Sequence, residues 1–271
     1  MAERCDGRRS NNRQAMIRAF FVTAITFAYI LAVGPPLLLY GVLTGNTDPV
    51  YNAGVLGARM ALWLAGVKVE GRGLEKIPRQ GPVVFMANHQ GNCDPPALIV
   101  LLPPVTVIGK KEFFRVPVLG RAMRMRKFVP VDRKNRERAV EAVEEAISIL
   151  KAGYPFLVFP EGTRSPDGRL QALKKGVFIM AIRAGAPIVP VSVSGSSKIM
   201  PKGKFVIHPG RVRITFHDPV PTAGRTMDDR ALVMAQVRQA LLSGLEKDEW
   251  PLEEPAAQPA PPSPPTNAAQ A

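Results

Sequence analysis

The chain has 271 residues, 46% of them hydrophobic, enough for one sizeable domain with additions at its ends, which excludes a wholly disordered polypeptide. Against 22 Asp and Glu stand 36 Lys and Arg, a formal +14, so the expected partners are anionic: a lipid surface, a phosphorylated substrate or nucleic acid. The two cysteines, Cys5 and Cys93, give neither a disulfide framework nor a cysteine-rich zinc site.

Residues 1–18 form a basic tail with Arg4, Arg8, Arg9, Arg13 and Arg18. No further charge occurs until Asp48, and segment 20–43 is nearly all apolar. That is long enough for the ~20 apolar residues of a bilayer span and too long for a signal-peptide core. Gly34-Pro35-Pro36 predicts an interruption, hence a kinked or re-entrant helix. A second apolar stretch, 50–67, carries Arg59 and Trp63. It reads equally as an interfacial or returning helix and as a core helix. Segment 19–66 is therefore expected to be a membrane-associated hairpin or re-entrant element. The arginines before it favour a cytoplasmic N-terminus, and a hairpin returns the remaining chain to that side.

From residue 67 the pattern alternates. Strands are predicted at 67–70, 83–87, 105–108, 128–131, 156–159, 188–194 and 212–216, as β-branched or aromatic runs bounded by Gly or Pro. Helices are predicted at 138–152, 174–184 and 228–245; in the first, Val140, Val143, Ile147 and Leu150 share a stripe. The expected fold is α/β, a mixed, largely parallel sheet flanked by helices over 67–247. Residues 248–271 are Pro- and Ala-rich and read as a disordered tail.

Three regions carry chemistry. In Asn88-His89-Gln90-Gly91-Asn92-Cys93-Asp94, an apolar strand delivers His89 to its carboxyl end, where open α/β sheets gather ligands. Asp94-Pro95-Pro96 reads as a helix start with Asp94 as cap. Its carboxylate also suits a second task, fixing the tautomer of His89 while the imidazole takes a proton from a hydroxyl. No Gly-x-Ser-x-Gly elbow supplies a protein nucleophile, so that hydroxyl is expected to come with the substrate. Cys93 is the rival, through an acyl-enzyme.

The second region, Phe159-Pro160-Glu161-Gly162-Thr163-Arg164-Ser165, also follows a strand. Gly162 permits close approach, Thr163 and Ser165 offer hydroxyls, and Arg164 suits phosphate; the same residues also make an ordinary surface turn. The third, 109–138, holds eleven basic residues against three acidic ones, with Phe113, Phe114 and other apolar residues interleaved. Beside a membrane anchor it suits anionic lipid, at about 1 kcal/mol per basic residue near the surface. No nucleic-acid motif is present, so nucleic acid is not an expected partner.

Together these blocks resemble the 1-acyl-sn-glycerol-3-phosphate (lysophosphatidic acid) acyltransferase family. The likeness runs through His89 to Asp94, then Phe128-Val129-Pro130-Val131-Asp132-Arg133, then Phe159 to Ser165, then Ile188-Val189-Pro190-Val191, in that order. The resemblance implies a membrane enzyme of phospholipid biosynthesis in which His89 and Asp94 are catalytic. It implies that Arg133, Glu161, Gly162, Thr163 and Arg164 bind lysophosphatidic acid, the two arginines holding phosphate. Glu161 would bond a glycerol hydroxyl or brace an arginine. The acyl group would come from acyl-CoA or acyl-acyl carrier protein, with no metal or cofactor. A bacterial-type inner membrane with the catalytic domain on the cytoplasmic side is the implied location. Cys93 and Pro130 depart from the family's usual pattern.

Overall fold

A computed structural model describes residues 2–79, 81–132 and 135–252. Seven strands form one sheet: β1 (Val67–Arg72), β2 (Val84–Ala87), β3 (Thr106–Lys110), β4 (Val129–Val131), β5 (Phe156–Val158), β6 (Ile188–Ser194) and β7 (Gly210–Phe216). Their order is β1-β7-β6-β2-β5-β3-β4. Every neighbouring pair is parallel except β6 with β7. The predicted mixed, largely parallel α/β sheet is therefore the observed one.

Both faces are covered, which explains why β2 and β6 read as continuous apolar runs. Along β2 the side chains alternate. Phe85 and Ala87 enter the core formed with α2 (Asp48–Leu64) and α3 (Asp94–Ile99). Val84 and Met86 enter the core formed with α5 (Arg136–Lys151), α6 (Lys175–Ala184) and α8 (Arg230–Ser243). Two short helices, α4 (Leu119–Met125) and α7 (Ser196–Ile199), lie in connections.

The N-terminal region departs from expectation at two points. Helix α1 runs unbroken from Ala2 to Thr44, so the basic residues 2–18 are the start of this helix and not a separate tail. It also continues through Pro35 and Pro36. Interior prolines cost a helix ~3 kcal/mol or more, and packing on both sides of the pair offsets this. Val118 seats against Gly34, Met125 against Gly41, and Leu38 is buried. The second helix ends at Leu64, and Val67 opens β1 as predicted.

Helix α2 folds back on α1, with the Tyr29 hydroxyl donating to the Ala53 carbonyl at 2.9 Å. One face of α2 enters the core through Leu62, as the core-helix reading expects, while Trp63 on another face is 77% exposed. Over Asn11–Thr44, α1 is long and apolar enough to cross a membrane. At its start, Ala15 and Ala19 are buried and the Ile207 N–H donates to the Ala15 carbonyl.

The chain's other end is tied in further than predicted. A 3-10 turn, Lys247–Glu249, buries Glu249, whose Oε1 accepts from Gly195 N–H at 2.8 Å. Leu170 N–H donates to the Glu249 carbonyl. Residues 248–252 thus belong to the domain, and the rest of the expected tail, 253–271, lies outside the described residues.

Candidate active site

Strands β6, β2 and β5 are adjacent, and the loops leaving their carboxyl ends meet. The β2 ladder stops at Ala87, and the side chain of Asn88 extends it. Its Nδ2 donates to the Val193 carbonyl at 2.8 Å, and Val193 N–H donates to its Oδ1 at 2.7 Å. This wholly buried amide fixes the point at which the next residue, His89, leaves the sheet.

The backbone of His89 is then held from both sides by the β5–α6 loop. Its N–H donates to Glu161 Oε1 at 2.7 Å, and its carbonyl accepts from Ser165 N–H at 2.7 Å. Its ring stacks on Phe159, with centroids 4.1 Å apart and planes 23° from parallel. The first and third sequence blocks are thus two halves of one structure.

Nδ1 of His89 lies 2.7 Å from Asp94 Oδ2. The same oxygen accepts from the N–H groups of Gln90 and Gly91 at 2.7 and 2.8 Å. Asp94 is wholly buried and is the first residue of α3, whose cap is Cys93. This corrects the expectation that Asp94 caps the helix: its carboxylate turns back onto the loop before it. Gly91 is required there, because a Cβ would come within 2.6 Å of the Ser196 carbonyl oxygen. An acceptor beside Nδ1 places the proton on that nitrogen and leaves the Nε2 lone pair to act in the neutral ring. Among the described residues nothing bonds Nε2, and the side chain keeps 13% of its surface open.

Cys93 is excluded as a nucleophile. It is wholly buried, its Sγ faces the Ser196 carbonyl at 4.0 Å, and burial drives its thiol pKa far up. A thiol in such surroundings is inert.

The predicted binding residues divide. Glu161 is buried, with both oxygens occupied: Oε1 by His89 N–H, and Oε2 by the backbone and side-chain N–H groups of Gln171 at 3.1 and 2.9 Å. It braces the histidine loop and not an arginine. Burial raises its pKa to about 7, against the pull of those donors. Gly162 takes a left-handed turn at φ 73°. Thr163 is exposed, and Arg164 is partly exposed with its carbonyl accepting from Lys202 Nζ at 2.7 Å. No ion pair to Arg164 occurs among the described residues, so its guanidinium is available to an anion. Arg133 lies outside the described residues; its neighbour Asp132 pairs with Lys111. Gln171 and the clamp made by Asn88 had no signal in the sequence, since Asn88 works through the distant backbone of Val193 and Gln171 through the buried carboxylate of Glu161.

Fold and site define an α/β domain with a buried-carboxylate-oriented histidine at the sheet's carboxyl edge. The family model described as Acyltransferase matches residues 68–194. The chain is 38% identical over 155 residues to the chloroplastic 1-acyl-sn-glycerol-3-phosphate acyltransferase BAT2 of Brassica napus, a match covering 56% of this chain and 45% of that protein. It is 32% identical to the human 1-acyl-sn-glycerol-3-phosphate acyltransferase alpha, covering 67% of this chain and 65% of the other. The chain thus spans about half to two thirds of the length of these relatives. The crystal structure of the 1-acyl-sn-glycerophosphate acyltransferase PlsC of Thermotoga maritima superposes with a TM-score of 0.73 at 29% identity, covering 87% of this chain and 97% of that one. The chain belongs to the 1-acyl-sn-glycerol-3-phosphate acyltransferase family.

Proposed function

We propose that this chain transfers a fatty acyl group from a thioester donor to the 2-hydroxyl of lysophosphatidic acid, giving phosphatidic acid for phospholipid biosynthesis. The observation that carries the reading is the 2.7 Å contact between His89 Nδ1 and Asp94 Oδ2, with Nε2 facing no protein partner among the described residues. Nε2 takes the proton of the acceptor hydroxyl as its oxygen attacks the thioester carbonyl. The new C–O bond forms, the C–S bond breaks, and the imidazolium returns the proton to the departing thiolate. Asp94 stabilises the charge that the ring carries between these steps. The buried Cys93 leaves direct transfer as the route, without an acyl-enzyme.

Arg164, and Arg133 by its place in the second block, are the proposed phosphate ligands. The donor is acyl-CoA or acyl-acyl carrier protein, and the chemistry asks for no metal or further cofactor. The α1–α2 hairpin docks the enzyme on an anionic membrane with the catalytic domain on the cytoplasmic side, in a bacterial-type inner membrane. Residues 67–252 form the catalytic domain in this reading. It is supported by the apolar residues left exposed on α1, among them Phe20, Phe21, Leu39 and Leu43. Membranes bearing the protein, given labelled acyl-CoA or acyl carrier protein and a panel of lyso-lipids, should label phosphatidic acid. Labelling of a different lyso-lipid product in its place would overturn the acceptor assignment.

A further inference from the structure

The β5–α6 loop contains a side chain that no sequence block includes. Gln171 donates twice to Glu161 Oε2, from its backbone N–H at 3.1 Å and from its amide Nε2 at 2.9 Å. The same Nε2 donates to the Thr163 carbonyl at 3.1 Å, so both acceptors fix the orientation of the amide. The carbonyl of Gln171 accepts from Arg238 Nη1 at 3.1 Å, which ties the loop to α8. The other oxygen of Glu161 accepts from His89 N–H at 2.7 Å. A continuous set of hydrogen bonds therefore runs from Arg238 through Gln171 and Glu161 to the backbone of His89.

We infer that Gln171 is a positioning residue for His89, acting through Glu161. The inference rests on the acyl-transfer reading of His89 given above. Physically, Glu161 faces three N–H donors and performs its task as a carboxylate. A proton on it would set an O–H against an N–H, and the His89 loop or the Gln171 amide would have to move. Burial pushes the Glu161 carboxyl up to about 7, while the His89 and Gln171 donors pull it down. The charged and titratable groups around it are His89 and Asp94 from the loop after β2, Lys174 lying over Gly162, and Arg238 behind Gln171. Without its amide, Glu161 takes up a proton at higher pH, and the height of His89 against the acceptor hydroxyl is lost.

The test is Gln171→Leu in the full chain, with kcat and both KM values measured from about pH 6 to about pH 9, spanning the carboxyl of Glu161. At about pH 7 we expect kcat to fall roughly five- to tenfold with both KM values unchanged, as for loss of a bond to a buried carboxylate. The acid limb of the kcat profile should move upward, so that the parent rate is approached at high pH. An unchanged profile, or an equal loss at every pH, would overturn the inference. If Gln171→Leu does not fold, Glu161→Gln serves instead: a permanently neutral group there should keep kcat lowered even at high pH, and the parent rate at high pH would count against the inference. His89→Ala, run in parallel, separates the two readings. Its retention of activity overturns the role of His89, whereas its loss beside a normal Gln171→Leu overturns only that of Gln171.

Discussion

Two histidines in this molecule sit in similar-looking polar pairs and do different work. His89 Nδ1 meets Asp94 at 2.7 Å, and His217 Nε2 meets Ser192 Oγ at 2.8 Å. The second pair has the residue types of a hydrolase dyad. Yet the Ser192 hydroxyl donates to the Leu241 carbonyl at 2.7 Å, so it receives its bond from His217 and has no proton to surrender to it. Ser192 is wholly buried between the sheet and α8, where no substrate reaches. The first pair stands at the carboxyl end of a central strand with one ring nitrogen open. What separates a site from a strut is which atoms remain unpaired and where the sheet places them.

Breaking each pair should therefore have opposite consequences. His89→Ala is expected to lower acyl transfer by about 10²–10⁴, the usual worth of a positioned acid–base group, with thermal stability nearly unchanged. Retained turnover in a labelled-lipid assay would erase the contrast. Ser192→Ala should leave turnover intact while removing about 1–3 kcal/mol of stability, because Leu241 and His217 lose their shared partner inside the core. Denaturant unfolding measures this, and a dead but stable Ser192→Ala protein would reverse the assignments.

Cys93→Ser sharpens the comparison by testing the nearest protein nucleophile. A hydroxyl in that sealed apolar position should cost stability, on the order of 1–3 kcal/mol, and leave kcat essentially unchanged. A thioester trapped on the parent protein would contradict direct transfer. The smallest effect concerns His217, whose pKa is lowered first by burial and then by Lys76. A histidine whose folded pKa lies below its unfolded value of about 6.5 stabilises the fold above that pH and ceases to as pH falls through the folded value. Stability followed from pH 7 downward should therefore decline below about 6.5, and His217→Gln should flatten that decline.

Much of the architecture was legible in the chain. All seven strands lie where β-branched and aromatic runs fall between Gly and Pro. Strands β2, β5 and β6 are buried along their whole length because both faces are covered there, while β1 and β7 carry Lys68, Glu70, Arg211 and Arg213 between apolar positions. His89 and Asp94 were legible as well: five residues apart across a strand end and a helix start, they meet through local geometry. Glu161 was legible as a residue of the site but not as to its task, since its partner His89 is 72 positions away. The path of α1 through Pro35 and Pro36 was not legible either. Local chemistry argues for an interruption there, yet the helix continues, with Val118 and Met125, distant along the chain, packed against its Gly34 and Gly41.

By itself, then, the sequence determined which segments are strands, that helices flank a largely parallel sheet, and that a histidine and a carboxylate five residues apart stand at a strand's carboxyl end. These follow from side-chain pattern and from contacts within one loop. Only the tertiary structure decided that Asp94 serves the loop and not the helix cap, that Cys93 is sealed, that Ser192 is a strut, and that Glu161 and Gln171 hold the histidine in place. The physical reason is common to all four. A polar group's task is set by which donors and acceptors reach it, and folding brings those partners from distant strands to the same few ångströms.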